Sequence, residues 1–229
     1  IPQRIDTLFS AIEMLESGTT SVQHIHGGLS GPIENWRSDA DTILGAYAEA
    51  GMRAGYCYMV RDQNVLTYRS DADILAGLTQ DVRDWIAPQL AASNIPVSEQ
   101  MDFARDLRSN WQANSPDQIR INIAPANLHW CSDDALDLMF GTARDMDAQI
   151  HMHLLETRRQ DQYARSRFGR SAVQHLHALG HLGDNVTFGH GNWLDPEDIE
   201  IIADCGCSIC HNASSGLRLG SGIAPVNRL

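Results

Sequence analysis

Six times along the chain a short apolar run is set against a segment with helical spacing, and that alternation limits the fold more than any other feature. The strand-like runs fall at residues 19–26, 52–60, 118–125, 149–156, 186–193 and 205–212. Helical spacing falls at 6–16, 39–50, 98–113, 132–146, 170–178 and 195–203. Two helix starts carry good caps: Ser132 precedes Asp134 and Ala135, and Asp195 precedes Pro196, whose missing N–H costs nothing in a first turn. Strict alternation implies parallel strands joined by helical crossovers. No glycine-rich dinucleotide fingerprint accompanies the strands. The pattern therefore predicts an α/β fold of the TIM-like (β/α)8 barrel kind over a Rossmann sheet.

One strand shows which way it should face. In residues 149–154 (QIHMHL) the side chains of Ile150, Met152 and Leu154 share one face, while Gln149, His151 and His153 share the other. A barrel needs apolar residues outward under its helices, and its chemistry sits at the carboxyl ends of the strands. In the next strand the same alternation groups Val186, Phe188 and His190, with the histidine last.

His153 and His190 thus close two successive strands, and Glu156 follows the first of them by three residues. Neutral imidazole is a good ligand for zinc or iron, and a strand end would hold it rigidly. A carboxylate in the following loop can take a proton from an activated water and pass it to a leaving amine. His190 could bond the same water and steady developing charge. Gly189 and Gly191 on either side would let backbone crowd a substrate.

Charge narrows the partners. Acidic residues outnumber basic ones by 29 to 17, for a formal net charge of -12, which disfavours nucleic acid and suits a small neutral or cationic substrate. Every basic residue is arginine, so lysine Schiff-base and P-loop chemistry are absent from this stretch. Five cysteines make an odd count in a mid-sized chain, which points to a reducing cytoplasm. No apolar run reaches membrane-spanning length.

Residues 11–20 (AIEMLESGTT), 151–157 (HMHLLET), 168–183, 188–194 (FGHGNWL) and 211–226 (HNASSGLRLGSGIAPV) together resemble the deaminase and chlorohydrolase branch of the amidohydrolase superfamily, in order and over nearly the whole chain. The resemblance implies a distorted barrel with one divalent metal ion, zinc first and iron second. It implies hydrolytic deamination of a nitrogen heterocycle (purine, pyrimidine, pterin or triazine-like) by metal-activated water. Chlorohydrolase or cyclic amidase chemistry would use the same parts, and an inactive barrel that only binds is a further alternative. On this resemblance His153 is the metal ligand of the fifth strand, Glu156 the proton shuttle and His190 the water-orienting histidine of the sixth. The family's first-strand His-x-His and eighth-strand aspartate have no counterpart, so residues 1–229 read as one partial domain holding roughly strands two to seven. Two open edges would leave such a piece prone to association, a homo-oligomer included.

His24 and His26 form a His-x-His, but they follow Gly18-Thr19-Thr20 of the second strand and are expected in a pocket lining or the core. The fourth-strand segment 119–125 carries neither lysine nor glutamate, which favours a mononuclear site by comparison with the family's binuclear members. Where relatives place a substrate histidine after the strand-four proline, this chain has Ala126, so Asn127 and His129 become candidates for substrate contact. Trp193 could stack on a planar ring. His211 opens an altered strand-seven motif, His-Asn-Ala-Ser-Ser-Gly, and is the remaining substrate-binding candidate. Cys205, Cys207 and Cys210 could in principle hold a structural zinc, yet Cys207 and Cys210 would point to opposite strand faces, and free core thiols are the expectation. Arg158, Arg159, Arg165 and Arg167 read as a solvated face.

Overall fold

The computed structural model describes residues 2–27 and 33–229. Its element order begins with α1 (Gln3–Glu16), β1 (Ser21–His26), α2 (Ile33–Ala50), β2 (Arg53–Val60), α3 (Asp71–Ala76), α4 (Gln80–Ser93) and α5 (Val97–Leu107). It continues through β3 (Ile119–Ile121), β4 (Ala124–Pro125), α6 (Asp133–Asp145), β5 (Ile150–Leu154), α7 (Arg158–Phe168) and α8 (Ala172–Ala178). The last elements are β6 (Val186–His190), α9 (Pro196–Asp204), β7 (Ser208–Cys210) and α10 (Ala213–Leu219).

Among the described residues all strand pairs are parallel. One sheet runs β1-β2-β3 with β4 also on β2, the other β5-β6-β7. A parallel bridge between Ile123 and Ile150 connects them, because the chain between β3 and β4 turns its hydrogen bonds to both neighbours: Asn122 donates to Tyr56 O and Ile123 to Gln149 O. Six strand positions therefore lie side by side in chain order, as the alternation predicts for an α/β fold.

The caps at Ser132 and Asp195 form as the sequence suggests. Ser132 accepts from Ala135 N, and Asp195 makes a reciprocal capping box with Asp198 ahead of Pro196. Three elements escaped the apolar pattern. Helices α3 and α4 bury no residue, and α7 buries only Gln160 and Ala164, so none has an apolar stripe to read. The arginine-rich stretch is accordingly a helix.

The two sheet faces are chemically distinct. On one, Tyr56, Tyr58, Ile119, Ile121, Ile150, Met152 and Phe188 pack beneath helices, as shown by Tyr58 donating to Trp36 O and its ring lying tilted 5.7 Å from that of Phe103. On the other, Gln23 donates to Cys57 Sγ at 3.2 Å and Asn122 to Gln23 Oε1 at 2.9 Å. This pair crosses over Gly55, where a Cβ would sit 2.6 Å from Gln23 Oε1 and 2.8 Å from Asn122 Nδ2, so a larger residue there would have to displace these two side-chain amides.

His24 and His26 lie in register with Tyr56 and Tyr58, on the helix side. Their Nδ1 atoms pair with the hydroxyls of Tyr47 and Tyr56 at 2.8 and 2.7 Å. Both histidines are half-buried on the helix-packed face, opposite His153. Among the described residues no helix is long and apolar enough to cross a membrane.

Phe188 is fully buried between Met152 of β5 and Ile209 of β7. Phe188→Ala should cost about 3–5 kcal/mol of unfolding free energy through lost burial and the cavity left behind. Denaturant unfolding of the full-length protein measures it, and a loss below about 1 kcal/mol would show that the core does not depend on this ring.

Burial also fixes an acid sensitivity. Desolvation, then the neighbouring charge of His26, lowers the His24 pKa to about 4. Desolvation, then Arg61, lowers that of His129 to about 4. In the unfolded chain both would titrate near 6.5. The unfolded state therefore binds more protons between those values, and stability falls as pH drops from about 6.5 to about 4 and is level above it. Neutralising the excess acidic charge opposes this loss, so the comparison with His129→Phe isolates one histidine. The wild-type melting midpoint should fall more steeply with acid than that of the variant. Parallel curves would refute the assignment.

Candidate active site

The burial pattern of β5 follows its sequence. Ile150, Met152 and Leu154 are fully buried, and His151 and His153 turn to the polar face, their rings 6.0 Å apart and edge-on. The chain then bends sharply, with Leu155 in the left-handed region at φ 49. That bend delivers Glu156 into the loop before α7, where its backbone is held at both ends. Glu156 N donates to Gln160 Oε1 at 2.7 Å, and Asn192 Nδ2 donates to Glu156 O at 2.9 Å. The carboxylate is left free of these anchors.

His190 reaches the same place by departing from alternation. Its register partner is Leu154, so a regular strand would aim it under the helices with Val186 and Phe188. A left-handed backbone at His190, φ 75, turns it the other way. Such a conformation is costly for a residue with a Cβ and marks a position held by its surroundings. Gly189 makes room beside it: a Cβ there would approach His151 Nε2 to 3.3 Å.

The result is a cluster of three. The His153 and His190 ring centroids lie 5.4 Å apart, and His190 Nε2 is 3.9 Å from Glu156 Oε1. That gap is too long for a hydrogen bond, so both groups remain able to engage a third atom between them. Among the described residues His190 Nδ1 is buried without a hydrogen-bond partner, so it is free to engage a further group.

Burial keeps these imidazoles uncharged. Desolvation, then His153 and His190, lowers the His151 pKa to about 4. The His153 pKa is lowered by desolvation and by His190, with Glu156 acting against. The His190 pKa falls by desolvation, also opposed by Glu156. A neutral imidazole keeps the lone pair that a metal or a water proton needs. Among the described residues no group of three or more histidines, cysteines or carboxylates is arranged as a metal-binding set. A neutral His153 is one donor that a metal could use, and the described residues add no complete set around it.

The other candidates lie apart from this cluster. Asn127 and His129 are buried at the end of β4, their side chains joined at 3.2 Å. The His129 ring is stacked on Tyr68 at 4.2 Å and 20° and lies 4.2 Å from Trp130. Trp193 is 38% exposed and donates from Nε1 to Ser221 O. His211 is exposed at the end of β7. None has a described contact with His153, Glu156 or His190. Cys207 donates to Gly183 O and Cys210 to Asn212 Oδ1, so these thiols share no centre, and all five cysteines are free.

Sequence reasoning missed the segment between β2 and α3. Asp62 caps α6 through Ser132, Asn64 at φ 51 donates to His129 O, and the Tyr68 hydroxyl lies 3.5 Å from Thr157 Oγ1, one residue from Glu156. It also missed Gln160, although Thr157-x-x-Gln160 has the spacing of a capping box.

The amidohydrolase family model matches residues 5–229. The chain belongs to the amidohydrolase family. Among its relatives, a 5-methylthioadenosine/S-adenosylhomocysteine deaminase of Symbiobacterium thermophilum is 31% identical over 163 residues, 69% of this chain and 37% of that protein. A 5'-deoxyadenosine deaminase of Methanosarcina barkeri is 28% identical over 223 residues, 97% of this chain and 43% of that protein. This amidohydrolase chain thus spans less than half the length of those relatives. Among solved structures, a zinc complex of atrazine chlorohydrolase from Arthrobacter aurescens superposes with TM-score 0.79 at 21% identity, covering 98% of this chain and 45% of that one. A zinc-bound adenosine deaminase from Xanthomonas campestris gives 0.74 at 22%, covering 99% and 43%. These likenesses establish an amidohydrolase fold.

Proposed function

We propose that this chain forms strands two to seven of an eight-stranded barrel and supplies the proton-transfer side of a hydrolytic deaminase. The substrate class is a small nitrogen heterocycle bearing an exocyclic amine, with adenosine-like purines first because the curated relatives are named for them. The observation that carries this reading is the convergence of His153, Glu156 and His190 at the ends of two paired strands. Six consecutive parallel strand positions support the barrel.

A divalent metal, zinc before iron, would be held in part by His153 and would supply Lewis acidity that acidifies the attacking water. Glu156 accepts the proton that this water gives up as its oxygen bonds to the ring carbon. The same carboxyl group then returns the proton to the exocyclic nitrogen. The carbon–nitrogen bond breaks, ammonia departs, and the ring keeps the oxygen as its carbonyl tautomer. His190, neutral and with one nitrogen unpartnered, hydrogen-bonds the attacking oxygen and orients it. Asn192 and Gln160 hold the Glu156 backbone in place while the proton moves. Asn127, His129, Trp193 and His211 remain the proposed substrate contacts, at the rim and not in this cluster.

The full-length protein, supplied with zinc, should release ammonia from at least one member of a panel of adenosine-type nucleosides, pterins, pyrimidines and aminotriazines. Zinc-loaded protein that is silent across the panel would overturn deamination, and chloride release from a chlorotriazine would redirect the same machinery to dechlorination.

A further inference from the structure

Helix α7 carries four arginines with different surroundings. Arg165 is neutralised by Asp161 and Asp195 at 2.7 and 2.9 Å. Arg158 lies over the ring of Trp193. Arg159 lies 6.0 Å from the Tyr68 ring centroid and Arg167 5.8 Å from that of Phe168, and among the described residues neither has a carboxylate within ion-pair distance.

Those two cations bracket a groove. Tyr68, Arg159, Gln162, Tyr163, Ser166 and Arg167 line an open depression on the surface. Positions 159, 163 and 166–167 form one stripe of the helix, and Tyr68 closes the opposite wall. Both tyrosines are fixed before any ligand arrives: Tyr68 is stacked on the buried His129, and Tyr163 accepts from Asn64 Nδ2 at 3.3 Å. Their rings lie 6.2 Å apart. None of His153, Glu156 and His190 lines this space.

We propose that the groove is a binding site, separate from the catalytic cluster, for a planar aromatic carboxylate. Guanidinium groups recognise carboxylates through paired, charge-assisted hydrogen bonds, and rigid tyrosines offer stacking surface at little entropic cost. A simple anion would use the arginines alone, and a neutral ring the tyrosines alone. Tyr68 also touches Thr157, so an occupant would press on the loop that presents Glu156.

Calorimetric titration of the full-length protein tests this with 2-naphthoate, its neutral amide 2-naphthamide, and acetate. Wild type should bind 2-naphthoate at least tenfold more tightly than either control. The double variant Arg159→Gln/Arg167→Gln should lose at least tenfold in 2-naphthoate affinity while keeping its melting midpoint and its ammonia release, which separates failure of this site from failure of the catalytic reading. No binding of 2-naphthoate at millimolar concentration, a control that binds equally well, or undiminished affinity in the double variant would each overturn the proposal.

Discussion

Glu156→Gln should lower turnover by about 10²–10⁴, the range expected when a positioned proton carrier is removed. The substitution keeps the shape of the side chain and takes away only its capacity to accept a proton. The geometry makes it a clean experiment. The bonds that fix this loop, from Glu156 N to Gln160 and from Asn192 to Glu156 O, use the backbone of residue 156 and not its carboxylate. The variant should therefore fold, melt within a few degrees of wild type and bind metal as before. KM should change far less than kcat, because a group that acts on the transferring proton contributes little to ground-state binding. Turnover retained within tenfold would show that another group carries the proton, and the convergence with His190 would then be structural.

How much of this could be read from the residues depends on the kind of interaction. Strand β5 was fully legible, since its alternation assigns Ile150, Met152 and Leu154 to the core and His151 and His153 to the polar face. His190 was legible as a strand end but not in direction. Alternation groups it with Phe188, and only the left-handed backbone between two glycines turns it toward His153. Period-two reasoning fails where a strand ends in a strained conformation, and functional sites are where such strain collects. His129 illustrates a different limit. Its place after the strand-four proline made it a substrate candidate, yet its surroundings are set by Tyr68, some sixty residues earlier, in a segment without hydrophobic period. That segment is held by side chains bonded to distant backbone carbonyls, as Asn64 is to His129 O. Contacts of this type leave no periodic trace.

His153→Ala should weaken zinc binding by the full-length protein by at least about 10²-fold, whereas Cys207→Ser and Cys210→Ser should leave it unchanged. Even a second-shell change commonly costs 10–100-fold in metal affinity, so loss of a ligand should cost no less. The two candidate donor sets differ in what they can offer. His153 stands beside a second imidazole and a carboxylate, and burial keeps it neutral with a lone pair available. Burial pushes the Cys207 thiol pKa up, and its hydrogen bond goes to Gly183 O while Cys210 turns to Asn212. Thiols bind zinc as thiolates, so a protonated thiol engaged elsewhere is a poor ligand. His24→Ala provides the matched control, because that imidazole lies on the opposite sheet face, paired with Tyr47. Competition against a calibrated chelator reads the affinity without reference to turnover. Zinc held undiminished by His153→Ala, or lost from either cysteine variant, would move the metal away from the strand-five histidine. The chemistry assigned to Glu156 and His190 would then lack the adjacent Lewis acid that the proposed reaction calls for.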